Sequence, residues 1–130
     1  MLHRSTFFGG STKETVASLP DDSVNSIAIA GDIFIAGFTN TIDIPGIISP
    51  PTDPASSQVD HGGGGRDGFI ARLGFDLTGT QAPVATYLGG SGDDEVRDII
   101  LGATHAFVAG HTSSTDFPDT AGNFQKTHDG

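Results

Sequence analysis

An all-β fold made of β-propeller-type blades is what three observations in this sequence predict. The chain repeats itself: Ser5-Thr6-Phe7-Phe8-Gly9-Gly10 returns as Ala85-Thr86-Tyr87-Leu88-Gly89-Gly90, and Val24-Asn25-Ser26-Ile27 as Val96-Arg97-Asp98-Ile99. Phe34-Ile35-Ala36-Gly37-Phe38-Thr39 returns as Phe107-Val108-Ala109-Gly110-His111-Thr112, Asp43-Ile44-Pro45 as Asp116-Phe117-Pro118, and Gln58 and His61 as Gln125 and His128. The offsets drift while the apolar segments keep their lengths, so insertions fall in loops, as units that stack and cover one another tolerate. Second, 19 Gly and 7 Pro among 130 residues leave few windows long enough for a helix. Third, the apolar residues fall in short runs of Ile, Val, Phe and Thr bounded by Gly, Pro, Asp and Ser, which is the pattern of strands and turns.

Taken in order, the β-branched and aromatic runs predict seven strands: Arg4 to Phe8, Val24 to Ala30, Ile33 to Thr39, Gly68 to Gly74, Val84 to Leu88, Val96 to Leu101 and Ala106 to Thr112. Between the first and second, Ser11 and Glu14 stand at capping-box spacing with Val16 and Leu19 three apart, which predicts one or two helical turns over Ser11 to Leu19. The second and third strands join through the short turn Gly31-Asp32. The next connection, Asn40 to Asp67, is long and punctuated by Pro45, Pro50, Pro51, Pro54 and Gly62 to Gly65, so it is expected as a surface excursion and the choice for a recognition surface. The unit from Val24 to Gly90 thus holds four strands, the content of one four-stranded antiparallel propeller blade. Repeat one spans about residues 5–84 and repeat two about 85–130, truncated. That is one complete blade plus strands of two neighbouring blades, expected as part of a longer propeller whose remaining blades lie in cis. The runs Ile33 to Ala36 and Ala106 to Ala109 do not alternate, which demands cover on both faces, so Phe34, Ile35, Phe107 and Val108 are expected to be buried.

Five ordered elements, Tyr87 to Gly92, Phe107 to Thr112, Asp116-Phe117-Pro118, Asn123-Phe124-Gln125 and Asp67 to Leu73, resemble the bacterial β-propeller repeat family often called SBBP. The first copy departs from the pattern at Phe8 and Ile44 and carries an insertion after Gly10. The resemblance implies an exported or cell-surface repeat protein, frequently beside adhesion-type modules, and no known reaction.

Composition excludes several classes. Six Lys and Arg against sixteen Asp and Glu give a formal charge of -10, so the positive stripe that neutralises phosphates is missing, and neither nucleic acid nor an anionic membrane surface is an expected partner. No apolar stretch approaches the ~20 residues that span a bilayer, and Met1 to Arg4 does not lead into the apolar core of a secretory signal. With no Cys, disulfide and thiolate chemistry are absent.

The remaining motifs point to structure more than to chemistry. Gly63, Gly65 and Gly68 match the letters of a dinucleotide fingerprint, but a Pro-rich loop precedes them and a strand follows, where pyrophosphate binding needs a strand before and a helix after. Gly62 to Phe69 and Gly89 to Val96 both fit the turn of calcium-binding β-rolls, which makes Asp67, Asp93, Asp94 and Glu95 the calcium candidates. A β-roll ion takes hard oxygen ligands from successive turns, and Ala71 to Leu88 between the two matches does not fit. Local turn chemistry accounts for these carboxylates without an ion. Asp43 and Asp116 recur before an apolar residue and Pro, which predicts an Asx-type turn in which the carboxylate accepts amides of its own turn. His105 and His111 share strand parity but face no carboxylate at metal-site spacing. There is no Gly-x-Ser-x-Gly elbow and no acid–base pair around one nucleophile. The expected function is a noncatalytic scaffold or ligand-binding module for a protein or carbohydrate. The alternatives are a structural spacer, a calcium-stabilised adhesion-type module, or part of a propeller hydrolase or lyase whose active site lies in other blades.

Overall fold

The structure, a computed structural model, describes residues 4–12, 21–47 and 58–118. It is all-β over those residues. Six strands follow in order: β1 (Asp22–Ala30), β2 (Asp32–Thr39), β3 (Asp67–Leu73), β4 (Val84–Leu88), β5 (Asp94–Leu101) and β6 (Ala106–Thr112). The first four form one antiparallel sheet in the order β1-β2-β3-β4, and β5 and β6 form a second, antiparallel, two-stranded sheet. Neither sheet is closed.

Register explains why β2 and β3 are apolar on both sides. Ile35 pairs with Ala71, which pairs with Ala85, and Gly37 with Phe69, which pairs with Tyr87. Successive side chains of a strand point to opposite faces. One face therefore collects Ile35, Phe69, Ala71, Ala85 and Tyr87, closed over by Ile44 and flanked by Phe8, Ile33, Ile47 and Leu73. Phe8 stacks on Phe69 with ring centroids 5.4 Å apart. The opposite face carries Ala28, Phe34, Ala36, Ile70 and Leu88, and onto it packs the second sheet through Val96, Ile99 and Leu101. Polar contacts rim this junction: Asn25 Nδ2 donates to the Val96 carbonyl at 2.8 Å, and Ser26 Oγ to Asp98 Oδ1 at 2.7 Å.

The two sheets repeat one another in detail. The β1–β2 ladder carries a bulge between Val24 and Ser26 and the β5–β6 ladder one between Val96 and Asp98. The residue facing each bulge is glycine, since a Cβ on Gly37 would run into the Ser23 carbonyl oxygen and one on Gly110 into that of Glu95. Equivalent faces are used in sequence. The face of the first sheet bearing Phe34 meets the face of the second bearing Val96 and Ile99, whose counterparts Val24 and Ile27 lie on the outer face of the first sheet. The units therefore stack head to tail.

Two expectations are corrected. Arg4 to Phe8 is not a strand: no described strand lies alongside it to complete a ladder, Phe7 is exposed, and Phe8 instead packs its ring on Phe69. Phe107 and Val108 are not buried, at 59% and 37% exposure: among the described residues nothing covers the outer face on which Phe107 lies opposite Ile100, and Val108, opposite Ile99 on the inner face, borders the edge of β6, which pairs with β5 alone. Ile35 is buried, as expected, and Phe34 is only partly buried. The helical turns expected over Ser11 to Leu19 fall almost wholly outside the described residues.

This contrast fixes a pair of outcomes. Phe69→Ala should cost about 3–5 kcal/mol, because it empties the centre of a packed face. Phe107→Ala should cost less than about 1 kcal/mol. Urea unfolding of the two variants checks both.

Candidate functional site

The polar residues singled out by the repeat converge at the end of each sheet where the Gly-Gly element meets the strands. Asp22 opens β1 directly opposite Thr39, the last residue of β2. Its carboxylate accepts the Gly10 amide at 3.0 Å and the hydroxyls of Thr39 and Thr41. The Thr41 amide donates to Thr39 Oγ1 at 2.9 Å. Two residues on, Asp43 accepts the Ser11 amide at 2.7 Å, the Ser11 hydroxyl at 2.8 Å and the Thr12 amide at 2.8 Å.

The second copy reproduces most of these contacts on its own residues, although the Gly92 amide, which stands where Thr12 does, donates to Ser114 Oγ at 2.9 Å rather than to Asp116. Asp94 opens β5 opposite Thr112 and accepts the Gly90 amide at 2.8 Å and the Ser114 hydroxyl at 2.6 Å. The Ser114 amide donates to Thr112 Oγ1 at 3.0 Å. Asp116 accepts the Ser91 amide at 2.8 Å and the Ser91 hydroxyl at 2.9 Å. The second glycine of each Gly-Gly element has no room for a side chain: a Cβ on Gly90 would lie 2.5 Å from Asp116 Oδ1 and 2.9 Å from Ser114 Cβ, and one on Gly10 would collide with Thr41 and Asp43. Glycine, the serine after it and two aspartates thus form one latch, built twice.

Asp116 is corrected by this geometry. It binds across to the Gly89-Gly90-Ser91 loop, 25 residues away in sequence, rather than closing its own turn. A short loop folded against the strand end offers outward amides, and the turn before Pro118 carries the carboxylate to them. Hydrogen bonds from the Ser91 amide and hydroxyl hold the Asp116 carboxyl below its ordinary value. For Asp43, desolvation pushes upward, but donors from Thr12 and Ser11 outweigh it and the carboxyl also lies below its ordinary value.

The calcium candidates do not assemble into a metal-holding group among the described residues. Asp67 is buried at the start of β3 and accepts the Gly62 amide, with His61 Nδ1 at 3.9 Å. Asp93 accepts the Gly65 amide at 2.6 Å, while Glu95 accepts Asn25 Nδ2 at 3.2 Å and lies 3.4 Å from Arg97 Nε. Asp94 is 1% exposed, and its Oδ1 has no hydrogen-bond partner among the described residues. Gly63 and Gly65 lie in the turn before β3, so no helix N-terminus follows them. His105 and His111 are exposed and do not converge on a carboxylate cluster.

The described ends of the Asn40 to Asp67 connection are pinned against β4, whose Ala85 amide donates to the Gly46 carbonyl at 2.8 Å and Tyr87 amide to that of Gln58 at 3.0 Å. Residues 48–57, the centre of the expected recognition loop, fall outside the described residues. Tyr87 ties the ends together: its hydroxyl donates to the Thr41 carbonyl at 3.0 Å and accepts the Ile44 amide at 3.3 Å, and His61 packs edge-on at 5.7 Å. Burial pushes the Tyr87 phenol up to about 12. Beside β6, a cavity of about 220 Å³ is lined by Leu88, Val96, Val108, Gly110 and Phe117 among others.

The sequence held a signal for the latch that goes unused when only apolar runs are aligned. Extending the match of Val24 with Val96 by two residues pairs Asp21-Asp22 with Asp93-Asp94, and extending Thr39 with Thr112 pairs Thr41 with Ser114. The acidic cluster then reads as one member of a repeated pair.

Because the folded carboxyls of Asp43 and Asp116 lie below 3.8, their stabilisation is present above that value and is lost as pH falls through the lowered folded values. In urea unfolding between pH 5 and about 2.5, the double variant Asp43→Asn with Asp116→Asn should show a shallower fall in stability than the parent. Asp76, also lowered by Thr78, would supply part of the slope that persists. An unchanged slope would show that the two latches carry no acid dependence.

No family profile and no solved structure matches this chain significantly. The chain is similar to a protein described as "Regulatory protein FlaEY" from Caulobacter vibrioides, 28% identical over 109 residues, covering 82% of this chain. It spans about a tenth (10%) of the length of that relative.

Proposed function

We propose that this chain is a noncatalytic scaffold or ligand-binding module of the β-propeller type, in which like sheets stack in series. The observation that carries the reading is the junction between the two sheets: the Phe34-bearing face of the first packs on the Val96 and Ile99 face of the second, with bulge, facing glycine and latch reproduced in both. The same faces recur at the two ends of the stack. Ile27 and Ile29 are 61% and 62% exposed on one side, Ile100 and Phe107 63% and 59% on the other. Contiguous exposed apolar surface of this kind marks an interaction face. Further units of the same kind are its natural occupants, and the similarity of the chain to one segment of a far longer protein is consistent with that.

The noncatalytic reading rests on how the recurring aspartates are used. Asp22, Asp43, Asp94 and Asp116 each hold loop amides and hydroxyls, which is a structural assignment for carboxylates that otherwise invite a catalytic one. A protein or carbohydrate ligand, and display at the cell surface, are proposed from the family resemblance alone.

The isolated chain should bind a hydrophobic dye and associate as its concentration rises. Ile100→Ser with Phe107→Ser should lower the dye signal by about half or more, one of two exposed apolar ends being removed. Sedimentation showing a stable monomer that binds no dye would overturn the stacked-module reading.

A further inference from the structure

The β6 strand stands where β2 stands in the first unit, and β2 is bonded on both sides. It pairs with β1 on one side and with β3 on the other, from Ile33 opposite Leu73 to Thr39 opposite Asp67. Among the described residues β6 pairs with β5 only, and its residues from Ala106 to His111 are exposed. An unpaired strand edge of this length is a template for another strand.

The cavity beside that edge identifies the strand it would take. In the first unit Phe69 of β3 lies opposite Gly37, against Ile35 and Ile44, with the Phe8 ring stacked on it. The repeat matches Gly37 with Gly110, Ile35 with Val108, Ile44 with Phe117 and Phe8 with Leu88, and these four counterparts line the cavity at β6. Its walls are therefore those of the Phe69 pocket, built a second time. Gly110 shares with Gly37 the bulge it faces, where the preceding carbonyl leaves no room for a Cβ, so the backbone at this position is built alike in both units.

We propose that the free edge of β6, with this cavity, is a strand-acceptor site for an antiparallel third strand of the β3 pattern Asp-Gly-Phe-Ile-Ala-Arg-Leu, supplied by a further repeat unit. The internal repeat sets the register: the aromatic residue lies opposite Gly110, the alanine opposite Val108 and the aspartate opposite Thr112. Main-chain hydrogen bonds along β6 provide affinity, and the aromatic side chain in the cavity provides selection. The inference rests on the stacked-unit reading but concerns a different surface, the edge of β6 rather than the outer faces.

The test uses the full chain and a fluorescent synthetic peptide of residues 66–74, followed by anisotropy and by amide chemical shifts. Saturable binding is expected, with shifts concentrated in Ala106 to Thr112. A peptide carrying Phe69→Ala should bind at least about tenfold more weakly, since a single aromatic anchor in a pocket dominates such a contact. Val108→Asp in the chain should weaken the parent peptide by a similar factor, and the β1–β4 shifts of that variant report that it remains folded. Absence of saturable binding, equal binding of both peptides, shifts that map to β1 or β4, or β6-to-β6 pairing of two chains that the peptide does not displace would each overturn the proposal. Any of these results with β1–β4 folded leaves the stacked-module reading to the dye experiment above.

Discussion

A carboxylate at the first position of a strand pair, bonded to the amide of the second glycine in a Gly-Gly element, is the constraint on which the rest of this structure depends. Asp22 holds Gly10 and Asp94 holds Gly90, and each bond fixes a loop over the end of its sheet. A carboxylate accepting backbone amides makes stronger hydrogen bonds than a neutral acceptor, and one taken out of water must find such donors. Asp94, 1% exposed, is the sharper case. The serine after the glycine then reaches Asp43 or Asp116, so that four residues distributed over three segments become mutually necessary.

Placement of the apolar faces follows from that end. The latch sets where the chain enters β1 and β5, and the bulge three residues later, with glycine opposite, turns each strand so that Ile27 and Ile99 take equivalent places. In the second unit that face meets the first sheet and Ile99 is 3% exposed; in the first unit it points away and Ile27 is 61% exposed. One sequence pattern thus gives opposite burial according to whether a neighbouring sheet is present. Apolar burial here is a property of the stack, as in other repeat architectures where each unit contacts only its neighbours.

Six of the seven expected strands were legible because β-branched and aromatic runs bounded by Gly, Pro and Asp need only local reading. Residues Val84–Leu88 and Ala106–Thr112 match the expected bounds, and the others lie within two residues of theirs. Arg4 to Phe8 was not legible as a lid, because its run differs little from that of Val84 to Leu88 and only a ladder partner distinguishes strand from coil. Phe107 has the same local sequence character as Phe34, so nothing near it in the chain announces that its sheet has no outer neighbour among the described residues. Asp116 was recognised as structural by its recurrence, yet its partner Ser91 lies 25 residues away and no turn rule points there. The acidic triplet Asp93-Asp94-Glu95 invited a metal reading because adjacent carboxylates look alike in sequence, whereas the fold sends them to Gly65, Gly90 and Asn25.

Native-state amide hydrogen exchange on the parent chain and on Asp22→Ala and Asp94→Ala tests the repeated latch most directly. The Gly10 and Gly90 amides should both be protected in the parent, with Gly10 losing protection in Asp22→Ala alone and Gly90 in Asp94→Ala alone. Exchange of the Gly90 amide at the unfolded-chain rate in the parent, or protection unchanged by the Asp94 substitution, would contradict a carboxylate-held loop as the organising contact of this fold.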